Sequence, residues 1–125
     1  MENKTLFATA VAVLMLSGCV QKNTARNCDQ AVEVAYRFTE HAISMRPQLA
    51  YAPVRNEADS ALFWLACRDG LQKGAAHDNT RLMAMQNYIS NAVVQPGISA
   101  EDGRYLINDM AIFLAHQYGF ESASS

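Results

Sequence analysis

The spacing of apolar and polar residues predicts four helices in the chain beyond residue 27. Apolar residues recur there at intervals of three and four, which is the pattern of a helix with one buried face. The predicted helices cover residues 28–45, 57–73 and 80–95, and a fourth begins after Ser99. No segment of useful length alternates apolar and polar residues as a half-buried strand does. The pattern therefore predicts an all-α, four-helix domain over residues 28–120, with an up-and-down topology if its connections are local.

The first predicted helix divides most clearly into two sides. Its polar side carries Glu33, Arg37 and Glu40, and Asn27 is placed to cap its N-terminus. Pro47 ends it, because a proline disfavours helical conformation in the residue before it. The residues on its apolar side are Cys28, Ala31, Val32, Ala35, Phe38, Ala42 and Met45.

The second predicted helix follows an N-cap at Asn56 and is apolar on more than one side. One face consists of Phe63, Trp64, Cys67 and Leu71. Leu62 and Leu65 point elsewhere, which is typical of the central helix of a small bundle and favours core positions for both. The alternative is that Leu62 and Leu65 form a ridge that binds a partner. Gly74 is expected to end this helix.

The third and fourth predicted helices each have one apolar face. That of the third consists of Leu82, Met85, Tyr88, Ile89, Ala92 and Val93. That of the fourth consists of Leu106, Ile107, Met110, Phe113, Leu114 and Tyr118. Tyr105 and Ile112 fall outside this face. Gly119 is expected to end the fourth helix, and residues 121–125 are expected to form a frayed tail.

The first 18 residues have a different pattern. Lys4 and the amino terminus give a positive start, and Leu6 to Leu16 form an apolar run interrupted only by Thr9. Ser17 and Gly18 follow, and then Cys19. This charged, apolar, small-residue order is typical of a secretory signal peptide. The apolar run is about half of the ~20 residues that a bilayer-spanning helix needs.

Leu16-Ser17-Gly18-Cys19 resembles the lipobox of bacterial lipoproteins. This resemblance implies that residues 1–18 are removed, that a diacylglyceryl group joins the sulfur of Cys19, and that a further acyl chain, such as palmitate, joins its amine. Several acyl chains anchor a protein stably. Residues 19–27 are polar and lack periodicity, and are expected to be a lipidated, flexible tether. The alternative is an ordinary signal peptide followed by a chance cysteine.

Val20 occupies the position at which many lipoproteins of enteric-type bacteria carry Asp when they stay at the inner membrane. The resemblance therefore implies anchoring in the outer membrane, with the domain facing the periplasm. The net charge of the chain is −2. Residues 1–18 contain one acid and one base, so their removal leaves this charge unchanged. No basic stripe occurs, which argues against nucleic-acid binding and leaves membrane contact to the lipid.

The chain has three cysteines. With Cys19 used by the lipid, Cys28 and Cys67 remain, and two cysteines in an exported protein predict a disulfide. Closing a loop of about 40 residues stabilises by about 3–4 kcal/mol. A simple hairpin would place Cys28 beyond Cys67, so the connection 47–55 must absorb the offset. The alternative is two free, buried thiols.

The residues that carry chemistry do not form a recognisable site. His41, His77 and His116 lack the spacing of paired metal ligands and are expected to be solvated or capping residues. Glu33 and Glu40 share a helix face, but a catalytic carboxylate pair would also need a cleft. No nucleophile turn and no phosphate-binding glycine loop occurs. The sequence therefore predicts a non-enzymatic protein without a metal, a cofactor or a small-molecule substrate.

In size, helical layout and cysteine content the chain is similar to small four-helix pilotins. Pilotins are outer-membrane lipoproteins that bind a segment of a secretin subunit and help it reach or assemble in the outer membrane. The resemblance implies a groove between helices that receives an amphipathic helix of an envelope protein, such as a secretin subunit of a secretion system. The candidate contacts are Leu62, Leu65, Tyr105 and Ile112; the alternative is scattered apolar surface.

A periplasmic protective protein is the competing function. That class includes immunity proteins, lysozyme inhibitors and entry-exclusion lipoproteins, which often bind their target through an inserted loop. The connections 47–55 and 74–79 are the candidate loops for this function.

Overall fold

The computed structural model describes the backbone of residues 8–49 and 54–124, and the side chains of residues 24–47, 49 and 54–124. Its elements are α1 (Ala8–Ser44), a 3-10 turn (Pro47–Leu49), α2 (Glu57–Ala75), α3 (Thr80–Val93) and α4 (Ala100–Ser124). These ranges contain no strand. The predicted all-α, four-helix fold is confirmed.

Contacts between the helices give an up-and-down order. Gln30 of α1 bonds to Tyr118 near the end of α4, whereas Leu49 just beyond α1 bonds to Arg104 near its start, so α1 and α4 are antiparallel. The disulfide and the Tyr36 contacts described below set α1 antiparallel to α2. Tyr88 contacts Asp109 at the middle of the antiparallel pair α3 and α4.

Side-chain caps set the predicted starts of α2 and α4. Asn56 Oδ1 accepts the N–H of Asp59 at 2.8 Å, and Ser99 Oγ accepts that of Asp102 at 3.0 Å. The N-cap of α3 is Asn79, which makes no side-chain cap bond, but the neighbouring Asp78 carboxylate accepts the Thr80 N–H at 3.1 Å, and its hydrogen bonds with the side chain and the N–H of Thr80 lower its pKa. Each bond pairs one of the N–H groups that a helix leaves without an internal partner.

α1 begins at Ala8, whereas its predicted start was Cys28. The segment 19–27, expected to be a flexible tether, is helical in the structure. No proline or glycine occurs between Cys19 and Arg46, so nothing in that sequence interrupts the helix. The side chain of Cys19 lies outside the described residues, and its lipidation stays a prediction. Within the described residues, no helix is long and apolar enough to cross a membrane.

α4, rather than α2, is the central helix, because it packs against α1, α2 and α3. The expectation that α2 is central, with Leu62 and Leu65 in the core, is therefore wrong. The reason is that α4 contributes small residues, Ala111, Ala115 and Gly119, at its contacts with its neighbours, and these let the helices approach it closely. The main core cluster consists of Cys28, Ala31, Ala35, Tyr36, Phe63, Cys67, Leu71, Ala111 and Ala115.

Glycines allow α2 and α4 to approach to backbone contact. A Cβ on Gly119 would overlap the carbonyl oxygen of Cys67, and a Cβ on Gly70 would overlap that of His116. Gly119 therefore serves packing rather than helix termination, and α4 continues to Ser124. This corrects the predicted end of the helix and the predicted frayed tail; Ser125 lies outside the described residues. Gly74 also packs on α4, and α2 ends one residue later than it.

The Cys28–Cys67 disulfide is confirmed, with a Cα–Cα distance of 5.4 Å. It joins α1 to the middle of α2, and both cysteines are fully buried. Nearby, Tyr36 of α1 binds the start of α2. Its hydroxyl oxygen accepts the Asn56 N–H at 3.1 Å and also contacts the Asn56 carbonyl and the Ser60 hydroxyl. The connection between α1 and α2 is thus held at a register that brings the cysteines together.

Candidate partner-binding surface

Within the described part of the chain, no group of three or more His, Cys, Asp or Glu side chains is placed to hold a metal ion. His41 and His77 are exposed, as expected. His77 has φ 54° and donates its backbone N–H to the Gly74 carbonyl, so it belongs to the turn after α2. His41 lies in the last turn of α1.

His116 was expected to be solvated or capping, and this expectation is wrong. Its exposed fraction is 1%, because it lies on the side of α4 that packs against α2. Its Nδ1 lies 3.3 Å from Asp69 Oδ2, and Arg81 of α3 lies 2.8 Å from the same oxygen. Burial lowers the pKa of His116, while the Asp69 carboxylate opposes that shift. His116 of α4, Asp69 of α2 and Arg81 of α3 therefore lie together where three helices meet.

Glu33 and Glu40 form an ion-pair cluster with Arg55. Arg55 donates to Glu33 at 2.7 Å and to Glu40 at 3.0 Å, and Arg37 donates to Glu33 at 2.9 Å. These hydrogen bonds lower the pKa of Glu33 to about 2 and also lower that of Glu40. Two carboxylates held ionised by an arginine have no proton to donate near neutral pH, so the pair does not fit a general-acid role.

The structure separates the four residues predicted to bind a partner. Leu62 and Leu65 are 49% and 45% exposed on α2 and line none of the clefts described below. Tyr105 and Ile112 lie two turns apart on α4, in two adjoining clefts between α3 and α4. The two clefts have volumes of about 380 and 420 Å³, and Tyr88 and Asp109 line both of them.

We call these two clefts together the α3–α4 groove. It is defined by Met85, Tyr88, Ile89, Tyr105, Asp109 and Ile112. The tyrosines Tyr88 and Tyr105 are 59% and 63% exposed, and the hydroxyl of Tyr88 donates to Asp109 at 3.4 Å. Large, amphipathic side chains on an open surface are the residues that protein interfaces favour.

The groove exists because α3 packs mainly on α4, with an Arg81–Asp69 ion pair to α2 at its start. All residues of α3 are described, and none of them is buried. Its predicted apolar face exists, but Met85 and Ile89 are only partly covered by α4. The periodicity predicts this face, because it reports which residues share a side of a helix, but it does not report how much of that side is covered.

The charge of the α3–α4 groove is negative. Asp102 and Asp109 line it, and its lining contains no Lys, Arg or His. The groove therefore combines apolar contact area with two carboxylates at one side, which is complementary to an apolar segment that also carries positive charge.

The comparisons with known proteins give no relative for this chain. No family model, no curated protein and no solved structure matches it.

Proposed function

We propose that this protein is a lipid-anchored, outer-membrane lipoprotein that binds an amphipathic, basic helix of another envelope protein in the α3–α4 groove. It acts as a non-enzymatic assembly factor in the manner of a pilotin, and a secretin subunit is the partner class that its layout suggests. The lipobox at Leu16–Cys19 supports the anchor, and the uncovered apolar side of α3 supports the partner site.

The observation that carries the partner site is the exposed pair of tyrosines beside two aspartates. An amphipathic helix places residues i, i+3, i+4 and i+7 on one side, which suits an open groove between two antiparallel helices. Lysine or arginine beside those apolar residues pairs with Asp102 and Asp109, and such pairs fix register and speed association more than they add affinity.

Photo-crosslinking in cells tests the site. A photoreactive amino acid replaces Tyr88 in one strain and Leu62 in a second, since Leu62 is an exposed apolar residue outside the groove. We expect the Tyr88 strain to crosslink one envelope protein through a segment with basic and apolar residues. Equal crosslinking from Leu62 would instead assign the interface to α2 and would contradict the groove.

Charge reversal supplies the matched control. Asp102→Lys is expected to weaken the Tyr88 crosslink, whereas Asp29→Lys, the same change on the exposed surface of α1, is expected to leave it intact. A crosslink that survives Asp102→Lys unchanged would refute the electrostatic part of the proposal. Substituting Cys19→Ala is expected to release the protein from membranes after alkaline washing, and retention there would refute the lipid anchor.

A deletion strain separates assembly from protection. Loss of secretin multimers would support the assembly role. Intact multimers together with sensitivity to a foreign toxin or hydrolase would instead place the protein among the periplasmic protective proteins.

A further inference from the structure

A second cleft lies at the end of the domain where α1 finishes, and we call it the distal cleft. Its floor consists of Phe38, Ala42, Leu49 and Ile107, which belong to the smaller core cluster. Its walls include Met45, Val93, Ile98, Leu106 and Met110. Its volume is about 380 Å³, within the range of roughly 300–1,000 Å³ that is typical of small-molecule sites.

A hydrogen bond beside the distal cleft fixes part of its floor. Arg104 of α4 donates to the Leu49 carbonyl oxygen at 2.8 Å and so holds the 3-10 turn that carries Leu49. Gly103 allows this approach, because a Cβ there would lie 3.1 Å from Leu49 Cδ2. A site whose walls are already in place binds a ligand without first ordering the chain.

The walls of the cleft expose apolar surface to solvent. Met45 is 64% exposed, and Val93 and Ile98 are also exposed, although the floor beneath them is buried. An apolar ligand lying on this floor would cover side chains that the fold itself leaves in water. The methionines Met45 and Met110 can adjust to the shape of an acyl chain, because their side chains are long and unbranched.

The charge of the distal cleft is opposite to that of the α3–α4 groove. Its lining contains Arg46 and His41 and no carboxylate. The Arg46 guanidinium is exposed and has no ion-pair partner among the described residues. Glu101 and Asp102, at the start of α4, line the neighbouring clefts instead. An occupant with an acidic head therefore meets one arginine at the mouth of an apolar site.

We propose that the distal cleft binds one single-chain anionic amphiphile, with its chain along the Phe38–Ile107 floor and its carboxylate at Arg46. The distal cleft shares Gln95, Ile98 and Leu106 with the α3–α4 groove, but its floor from Phe38 to Ile107 and Arg46 lie outside that groove.

Photo-labelling of the full lipidated chain tests the proposal. The protein is placed in phosphatidylcholine vesicles with a diazirine-bearing hexadecanoate, and the labelled residues are mapped by mass spectrometry. We expect labelling of the cleft residues of α1 and α4, and at least tenfold less labelling there by a hexadecyl trimethylammonium probe that carries the same diazirine. Equal labelling by the two probes, or labelling spread evenly over the chain, would overturn the proposal.

Three variants complete the test. Arg46→Glu is expected to reduce hexadecanoate labelling of the cleft about tenfold, whereas Arg68→Glu, the same change on the exposed surface of α2, leaves it intact. Ile98→Trp fills the cleft from its exposed rim, where the larger side chain does not disturb the core, and is expected to abolish labelling. Labelling that persists in Arg46→Glu and Ile98→Trp, or a cleft that crosslinks only to protein, would refute an amphiphile site.

Discussion

Replacing Gly119 by alanine is predicted to destabilise the domain, although the same change stabilises an ordinary helix. In an exposed helix interior alanine is favoured over glycine by about 1 kcal/mol. At Gly119 the new Cβ would overlap the carbonyl oxygen of Cys67 and lie 3.0 Å from the backbone nitrogen of Leu71. Both atoms belong to the backbone of α2, so no rotamer change relieves the contact.

The expected size of the effect follows from these two opposing terms. Overpacking a close contact costs about 1–3 kcal/mol, and backbone contact at a disulfide-linked helix places this case at the upper end. Subtracting about 1 kcal/mol of gained helix propensity leaves a loss of about 2 kcal/mol in the free energy of unfolding. For a domain of this size that corresponds to a decrease in Tm of about 8–16 °C.

Thermal unfolding of the purified, disulfide-bonded protein measures this loss. Gly103→Ala is the matched control on the same helix, because its Cβ would meet only the end of the Leu49 side chain. We expect the control to keep or raise Tm. If Gly119→Ala raises Tm as much as Gly103→Ala does, the close approach of α2 and α4 is wrong.

Three further predictions concern the disulfide and the titrating groups. Cys28→Ser with Cys67→Ser is expected to lower the free energy of unfolding by about 3–4 kcal/mol, measured by denaturant titration; an unchanged midpoint would argue that the bond does not form. Because the pKa of Glu33 is lowered from 4.5 to about 2, its contribution to stability is complete above pH 4.5 and is lost as the pH falls towards 2. Arg55→Met should reduce the decrease in Tm between pH 4.5 and pH 2. If Tm depends on pH in this variant as it does in the unchanged protein, the ion-pair cluster is contradicted. The pKa of His116 in the folded chain lies below its usual 6.5. As the pH falls below 6.5, the unfolded chain therefore binds more protons than the folded chain, and the free energy of unfolding decreases. His116→Gln should remove this dependence, which a comparison of Tm at pH 7.5 and 5.5 detects.

The sequence determined the features that depend on neighbours along the chain. The apolar period of three to four residues located all four helices, and the caps at Asn56 and Ser99 were predicted because capping is a local hydrogen bond. The disulfide was predicted from the resemblance of residues 1–19 to an export signal and from the number of cysteines. Its geometry required the tertiary structure, because the connection between α1 and α2 sets the register of the two helices.

The tertiary structure decided which faces are buried. On α4 the periodicity marked large residues such as Leu106 and Phe113 as the inner face, but the buried stripe is Ile107, Ala111, Ala115 and Gly119. Hydrophobicity scales give weight to large side chains, whereas close helix packing selects small ones, and only the three-dimensional arrangement shows where helices touch. The burial of His116 has the same origin, since it lies beside that stripe.

Tyr105 and Ile112 were predicted as surface residues from the sequence, but their groove was not. The groove depends on α3 packing mainly against α4, which leaves the apolar side of α3 partly uncovered. The distal cleft likewise joins residues from α1, the 3-10 turn and the connection before α4, which are far apart in the chain. Periodicity describes single helices, and both surfaces arise between helices, so only the tertiary structure decided their shape and charge.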